Sequence, residues 1–141
     1  IDYHNIRERL KNKFPNIQID DFSVSLKERL SNSRLLITTL DTTTVLEGLA
    51  INFPTILICD FDKYKISSEY LNYYKELIEA KKLFINSLDA NRHIEKVFFD
   101  TKKWWNEKKL QDIRERFCKK FAYHPNNQNL HLIEKISKIV E

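Results

Sequence analysis

Two short apolar runs rich in β-branched residues, Leu35-Leu36-Ile37-Thr38-Thr39 and Thr55-Ile56-Leu57-Ile58-Cys59, bracket a stretch of helical character from Thr42 to Ile51. Neither run alternates apolar with polar residues, so each reads as a strand covered on both faces, the habit of parallel sheets. A parallel pair cannot be closed by a tight turn. It needs a crossover, here a helix, and such crossovers are right-handed in nearly every case. Pro54 introduces the second run at a strand start, where a missing N–H is tolerated. The segment Leu35 to Cys59 therefore predicts one strand-helix-strand unit of an α/β fold.

The rest of the chain is read against that unit. Ile6, Leu10 and Phe14 recur at helical spacing, predicting an amphipathic helix over residues 3–13 that Pro15 stops. A short strand is expected at Ile17 to Ile19. Ser25 and Glu28 form an S-x-x-E capping box for a helix running to about Asn32. Beyond the second strand, Tyr70, Tyr73, Tyr74, Leu77 and Ile78 mark a helix within residues 67–82, followed by a short apolar segment, Leu83-Phe84-Ile85. Ser87 opens another helix through Phe98. Trp104 and Trp105 begin or precede a long helix to Phe121, and Leu132, Ile133, Ile136, Ile139 and Val140 predict a last one.

No Gly/Ser/Pro linker or repeat interrupts the 141 residues, so one domain with a helical C-terminal region is expected. The chain contains no Met, which suggests a piece of a longer gene product. No apolar run approaches the roughly 20 residues that span a bilayer, and the N-terminus lacks a signal-peptide pattern. Cys59 and Cys118 lie far apart and form no C-x-x-C pair. A reducing, cytoplasmic setting is expected, with Cys59 as a buried small hydrophobe and no metal site.

Net charge is +4 and unevenly distributed. Residues 1–60 carry seven Lys or Arg against eight Asp or Glu, so the basic surplus lies in residues 61–141 and is densest from Lys102 to Lys120. Lys102, Lys103, Lys108, Lys109, Arg114, Arg116, Lys119 and Lys120 would suit nucleic acid or an anionic membrane surface. Leu110, Ile113, Phe117 and Phe121 recur at helical spacing through the same stretch, and Glu107, Asp112 and Glu115 interrupt the cations. The wet face of a helix is the favoured expectation, with peripheral membrane contact kept as a partner and nucleic acid disfavoured.

Gly48 is the only glycine, which excludes both a G-x-G-x-x-G fingerprint and a P-loop. In a parallel sheet, ligands sit beyond the carboxyl ends of the strands, where the next helix points its unpaired N–H groups and positive dipole end. The run Thr38-Thr39-Leu40-Asp41-Thr42-Thr43-Thr44-Val45-Leu46-Glu47 occupies that position. Threonine hydroxyls offer donors to phosphate oxygens, and Glu47 is placed one turn on to accept from ribose hydroxyls. The same residues would equally start a helix. Thr44-x-x-Glu47 is a capping box, and Asp41 or Thr42 is a suitable cap. The residues alone leave the two readings level.

The string Ser33-Arg34-Leu35-Leu36-Ile37-Thr38-Thr39-Leu40-Asp41-Thr42-Thr43-Thr44-Val45-Leu46-Glu47, followed by Asn52-Phe53-Pro54-Thr55-Ile56 and later by Trp104-Trp105, resembles a family of transferases encoded in bacterial surface-carbohydrate (lipopolysaccharide and capsule) gene clusters. More distantly it resembles the CDP-glycerol glycerophosphotransferases. The resemblance covers most of residues 6–140. It implies a glycosyltransferase of GT-B-like fold, in which two Rossmann-like domains face each other across a cleft. Residues 1–141 would be the C-terminal, donor-binding domain, partnered by an N-terminal domain of the same longer chain. The implied ligand is a nucleotide-activated sugar or polyol phosphate, with no further cofactor. By that likeness Thr42, Thr43 and Thr44 contact the donor diphosphate and Glu47 the ribose or donor sugar, while Thr38, Thr39 and Asp41 line the same edge. Catalytic bases in such folds commonly come from the N-terminal domain, so none is assigned, and this chain by itself is expected to be inactive.

Other chemistry-bearing residues have plainer expectations. His4 lies beside Arg7 and Arg9 on a face expected to be solvated. His93, His124 and His131 show no ligand spacing and are expected at the surface or at helix ends. Asp60 and Asp62 follow the second strand, where they either meet a donor or start the next turn. Tyr73, Tyr74, Trp104 and Trp105 are expected to be core. Two functional readings follow: a donor-binding transferase domain, or a non-catalytic α/β module that associates through its basic C-terminal helix.

Overall fold

The computed structural model describes residues 5–39, 43–60 and 66–122. The chain forms two compact units divided between Asn32 and Ser33.

In the first unit, α1 (Ile6–Lys13) ends at Phe14, whose N–H donates to the Leu10 carbonyl at 2.8 Å. Pro15 disfavours helical backbone at the residue before it, and Phe14 has already left the helix at φ −133. α2 (Leu26–Ser31) starts where the capping box predicts, with Ser25 Oγ accepting the Glu28 N–H at 3.3 Å. The strand expected at Ile17 to Ile19 does not form. A strand needs a neighbour for its N–H and C=O groups, and the unit offers none among the described residues. Asp20 and Asp21 instead accept from the N–H groups of Phe22 and Ser23, each at 3.0 Å, and pair with Arg29.

The second unit is built on a parallel sheet of β1 (Leu36–Thr38), β2 (Thr55–Ile58) and β3 (Leu83–Phe84), in that order. Leu36 lies opposite Thr55 and Thr38 opposite Leu57, while Leu57 and Ile58 pair with Leu83 and Phe84. α3 (Thr43–Ala50) connects the first two strands and α4 (Leu71–Glu79) the second pair. After β3 come α5 (Ser87–Val97), a 3-10 turn (Phe98–Asp100), α6 (Thr101–Trp105) and α7 (Lys108–Phe121). The mixed α/β class, the parallel strands and the helical C-terminal region are as the sequence predicts. The segment at Leu83 is a third strand, and the tryptophans precede the long helix to Phe121, closing the short α6 before the break at Asn106-Glu107. Asp100 caps α6 by accepting the Lys103 N–H, and Gln111 Nε2 returns to the Trp105 carbonyl at 2.6 Å.

Gly48 is a packing residue. A Cβ there would stand 2.6 Å from Thr55 Oγ1 and 2.7 Å from Leu36 Cδ2, so only a glycine lets α3 lie this close to β1 and β2. α7 packs against α3 and α4, with Tyr74 edge-on to Phe117 at 5.5 Å and Tyr73 edge-on to Phe121 at 5.4 Å. Trp104 and Trp105 are buried with Leu49, Leu57, Leu77, Ile113 and Phe117.

With glycine used once, both helix-to-strand corners turn on other residues. Asn52 (φ 58) and Lys81 (φ 55) are left-handed. After α3, the N–H groups of Asn52 and Phe53 reach the carbonyls of Leu49 and Gly48; after α4, those of Lys81 and Lys82 reach Ile78 and Leu77. Each is a Schellman closure that satisfies carbonyls at the helix end and aims the chain into the next strand. Trp105 Nε1 donates to Asn52 Oδ1 at 2.7 Å and to the Asn52 carbonyl at 3.1 Å. The Asn52-Phe53-Pro54 string and the tryptophan pair, 53 residues apart, thus meet as one structural device.

Candidate functional site at the carboxyl edge of the sheet

β1 ends at Thr38, and α3 begins at Thr43. Side chains alternate along a strand, and Leu36 faces Gly48, so Thr38 points to the same side as α3. Thr38 is 9% exposed, and its Oγ1 is sealed from solvent with no hydrogen-bond partner among the described residues. A buried hydroxyl left unpaired costs about 1–3 kcal/mol. Thr39 is exposed beside it, Thr43 is the exposed first residue of α3, Thr44 is half-buried, and Glu47 is exposed on the next turn.

Thr44 lies inside the first turn of α3. The capping box that it would form with Glu47 requires it to stand just outside the helix, so that reading is withdrawn. The first N–H groups of α3 have no partners within the helix, and its first turn carries no acidic residue. α5 starts differently. Asn86 Oδ1 accepts the Asp89 N–H at 2.9 Å while Asn86 Nδ2 donates to Asp89 Oδ2, so a carboxylate already occupies the positive end of that helix. Next to this start a groove of about 460 Å³ runs along Ile58, Leu88, Asn91 and Ile94. Asp60 follows β2 at the same edge, half-buried, after the buried Cys59. Leu40, Asp41, Thr42, Asp62, His4, His124, His131 and the helix expected from Leu132 lie outside the described residues.

Elsewhere several charges have roles that sequence reasoning missed. Arg114 is no part of a wet face. It is 8% exposed, its Nη1 donates to the Leu49 carbonyl at 2.9 Å, and its Nε donates to Gln111 Oε1 at 2.9 Å. Arg116 pairs with Glu76 at 2.9 Å and Lys120 with Glu69 at 3.4 Å, so the basic stretch is partly spent on packing and pairing. Lys82, at the amino end of β3, is 2% exposed. Its Nζ has no hydrogen-bond partner and lies 3.5 Å from the Trp105 ring centre and 5.3 Å from that of Trp104. Burial, reinforced by the Arg114 charge, lowers its pKa to about 7. His93 is half-buried on α5. Its ring is packed between Phe84 and Trp104, at 5.3 and 5.1 Å. Lys82 and a helical histidine resemble solvent-facing residues in sequence; only the tryptophans packed against them show otherwise, while Lys81 stays exposed.

Among the described residues no group of three or more His, Cys, Asp or Glu is arranged to hold a metal ion, and no helix is long and apolar enough to cross a membrane. The three-stranded parallel sheet flanked by helices places the chain in the broad class of α/β proteins. A family model described as "LIC12162 family transferase" matches residues 2–136, and the chain belongs to that family of transferases. Comparison with curated proteins and with solved structures returned no match.

Proposed function

We propose that this chain is the donor-binding domain of a GT-B-type glycosyltransferase that takes a nucleotide-activated sugar or polyol phosphate for bacterial surface polysaccharide synthesis. Family membership supports the transfer chemistry. The observation that carries the site is the unpartnered Thr38 hydroxyl, buried where β1 gives way to the exposed Thr39 and the N-terminus of α3. A diphosphate at this edge meets the first N–H groups and positive dipole end of α3, with the hydroxyls of Thr38, Thr39, Thr43 and Thr44 as further partners. Thr42 and Asp41 belong to the same proposed set, and Glu47 is assigned to the ribose or donor sugar. The acceptor and the group that activates it are assigned to an N-terminal domain of the longer chain. The rival reading, association through the basic helix, is weakened by the inward turn of Arg114 and the pairing of Arg116 and Lys120.

The test is a titration of the full chain with CDP, UDP and GDP and their sugar or polyol conjugates, followed by amide NMR and thermal stability. One nucleotide class is expected to shift the Thr39, Thr43 and Thr44 signals. Thr38→Val keeps the shape and removes a hydroxyl that bonds nothing among the described residues. It is therefore expected to leave the unliganded stability equal or higher by about 1 kcal/mol, yet to weaken binding about tenfold. A flat response to every donor, or undiminished binding by Thr38→Val, would defeat the proposal.

A further inference from the structure

A second pocket lies on the other flank of α5 from the Ile58 groove. It encloses about 360 Å³ against Leu83 to Ile85, at the side of β3 that faces away from β2. Three cations line it: Lys81 from the corner between α4 and β3, and Arg92 and Lys96, one turn apart on α5. The single carboxylate is Asp89, which is already engaged by Asn86 Nδ2 and lies 3.4 Å from Arg92. Neither Lys81 nor Lys96 has an ion-pair partner among the described residues. His93 also lines the pocket. Its Nε2 is sealed from bulk solvent without a hydrogen-bond partner, and Phe84 and Trp104 hold its ring plane.

These features converge on an anion. Burial first, then the charges of Lys81 and Lys96, hold the His93 imidazole below its ordinary pKa. Both lysines are therefore near enough for their fields to meet at the ring. Lys81 adds a backbone argument. Glycine is the residue favoured at a left-handed helix closure, and a lysine there keeps a cation at the pocket mouth despite an unfavourable φ of 55.

We propose that this pocket binds a phosphate group, with Lys81, Arg92 and Lys96 as counter-charges and the His93 ring and the apolar Phe84 in its wall. The site is separate from the edge beside Thr38 and does not depend on the donor reading. Its phosphate belongs either to a soluble phosphate compound or to a lipid headgroup.

The experiment adds inorganic phosphate to the isotope-labelled full chain at fixed ionic strength, with chloride as the control. The expected result is saturable shifts at Leu83, Ile85, Arg92 and His93, together with a rise in the His93 pKa as the anion stabilises the imidazolium. Lys81→Gly combined with Lys96→Gln removes two charges while easing the left-handed corner, and is expected to weaken phosphate binding at least tenfold. Lys102→Gln with Lys103→Gln is expected to change nothing. Non-saturable shifts spread over all basic residues, an unmoved His93 titration, or equal binding by Lys81→Gly/Lys96→Gln would overturn the proposal. Sedimentation with phosphatidic acid vesicles, against phosphatidylcholine vesicles, separates the two sources. Binding that the double substitution abolishes assigns the lipid headgroup, whereas saturation by inorganic phosphate without vesicle binding assigns a soluble ligand. A nucleotide that moved only His93 and Lys96 would support this pocket and defeat donor binding at Thr43.

Discussion

Gly48→Ala sets two known effects against each other. Alanine is favoured over glycine inside a helix by about 1 kcal/mol, so on propensity alone the variant would be more stable. The added methyl, however, would stand 2.6 Å from Thr55 Oγ1 and 2.7 Å from Leu36 Cδ2. Leu36 is half-buried and its terminal methyl swings aside cheaply. Thr55 is 1% exposed, and its Oγ1 donates to the Phe53 carbonyl at 2.8 Å. Turning Thr55 forfeits that bond, worth about 1 kcal/mol; keeping it forces α3 off the sheet, an overpacking cost of about 1–3 kcal/mol. The balance is a loss of about 1–2 kcal/mol, read by urea denaturation through the fluorescence of the buried Trp104 and Trp105. Thr55→Ala removes the obstructing oxygen, so Gly48→Ala/Thr55→Ala is expected to be more stable than the sum of the single changes by about 1 kcal/mol. Lifting α3 also displaces Thr43 and Thr44, so any donor affinity falls with it. A Gly48→Ala chain as stable as the wild type would refute the close approach of helix and sheet.

The buried charges make two further predictions. For Lys82 the folded pKa of about 7 lies below the ordinary 10.5, so the unfolded chain binds the proton more tightly between those values. The burden is full below pH 7 and vanishes above 10.5, so wild-type stability rises with pH across that window. The shift corresponds to a net penalty of roughly 5 kcal/mol on the charged form. Lys82→Met is therefore expected to exceed wild type by a margin on the order of 5 kcal/mol at pH 6 and to lose most of it by pH 10 in urea titrations; a margin independent of pH refutes the assignment. Arg114→Ala takes one of two donors from the Leu49 carbonyl, which keeps the Asn52 N–H, and empties the buried space of the guanidinium, and is expected to cost about 2–3 kcal/mol. Arg116→Ala breaks only a half-exposed pair with Glu76 and is expected to cost under about 1 kcal/mol, so equal losses in thermal melts would contradict the inward placement of Arg114.

What could be read from sequence was whatever local pattern dictates. The run at Thr55 is apolar on both faces because both faces of β2 are covered, whereas β1, at the sheet edge, leaves Ile37 exposed and is covered on one face only; β1 and β2 lie within one residue of the predicted ends at every boundary. β3 is two residues long and owes its existence to register with Leu57 and Ile58, which nothing near Leu83 encodes. The same dependence on a partner explains why Ile17 to Ile19 forms no strand. Lys82 and Arg114 escaped notice because charge suggests solvent, while their burial is decided by Trp104, Trp105 and Leu49 from other elements. The proposed site changes by the same logic. The single glycine moved attention to hydroxyls, and Thr44 appeared able to cap α3, but the helix already includes it. Thr38, read at first only as lining the edge, becomes the more informative residue. Strand alternation turns it toward α3, and its buried hydroxyl forms no bond within the described structure. A cap needs none of this, whereas a diphosphate oxygen at the strand end would complete it.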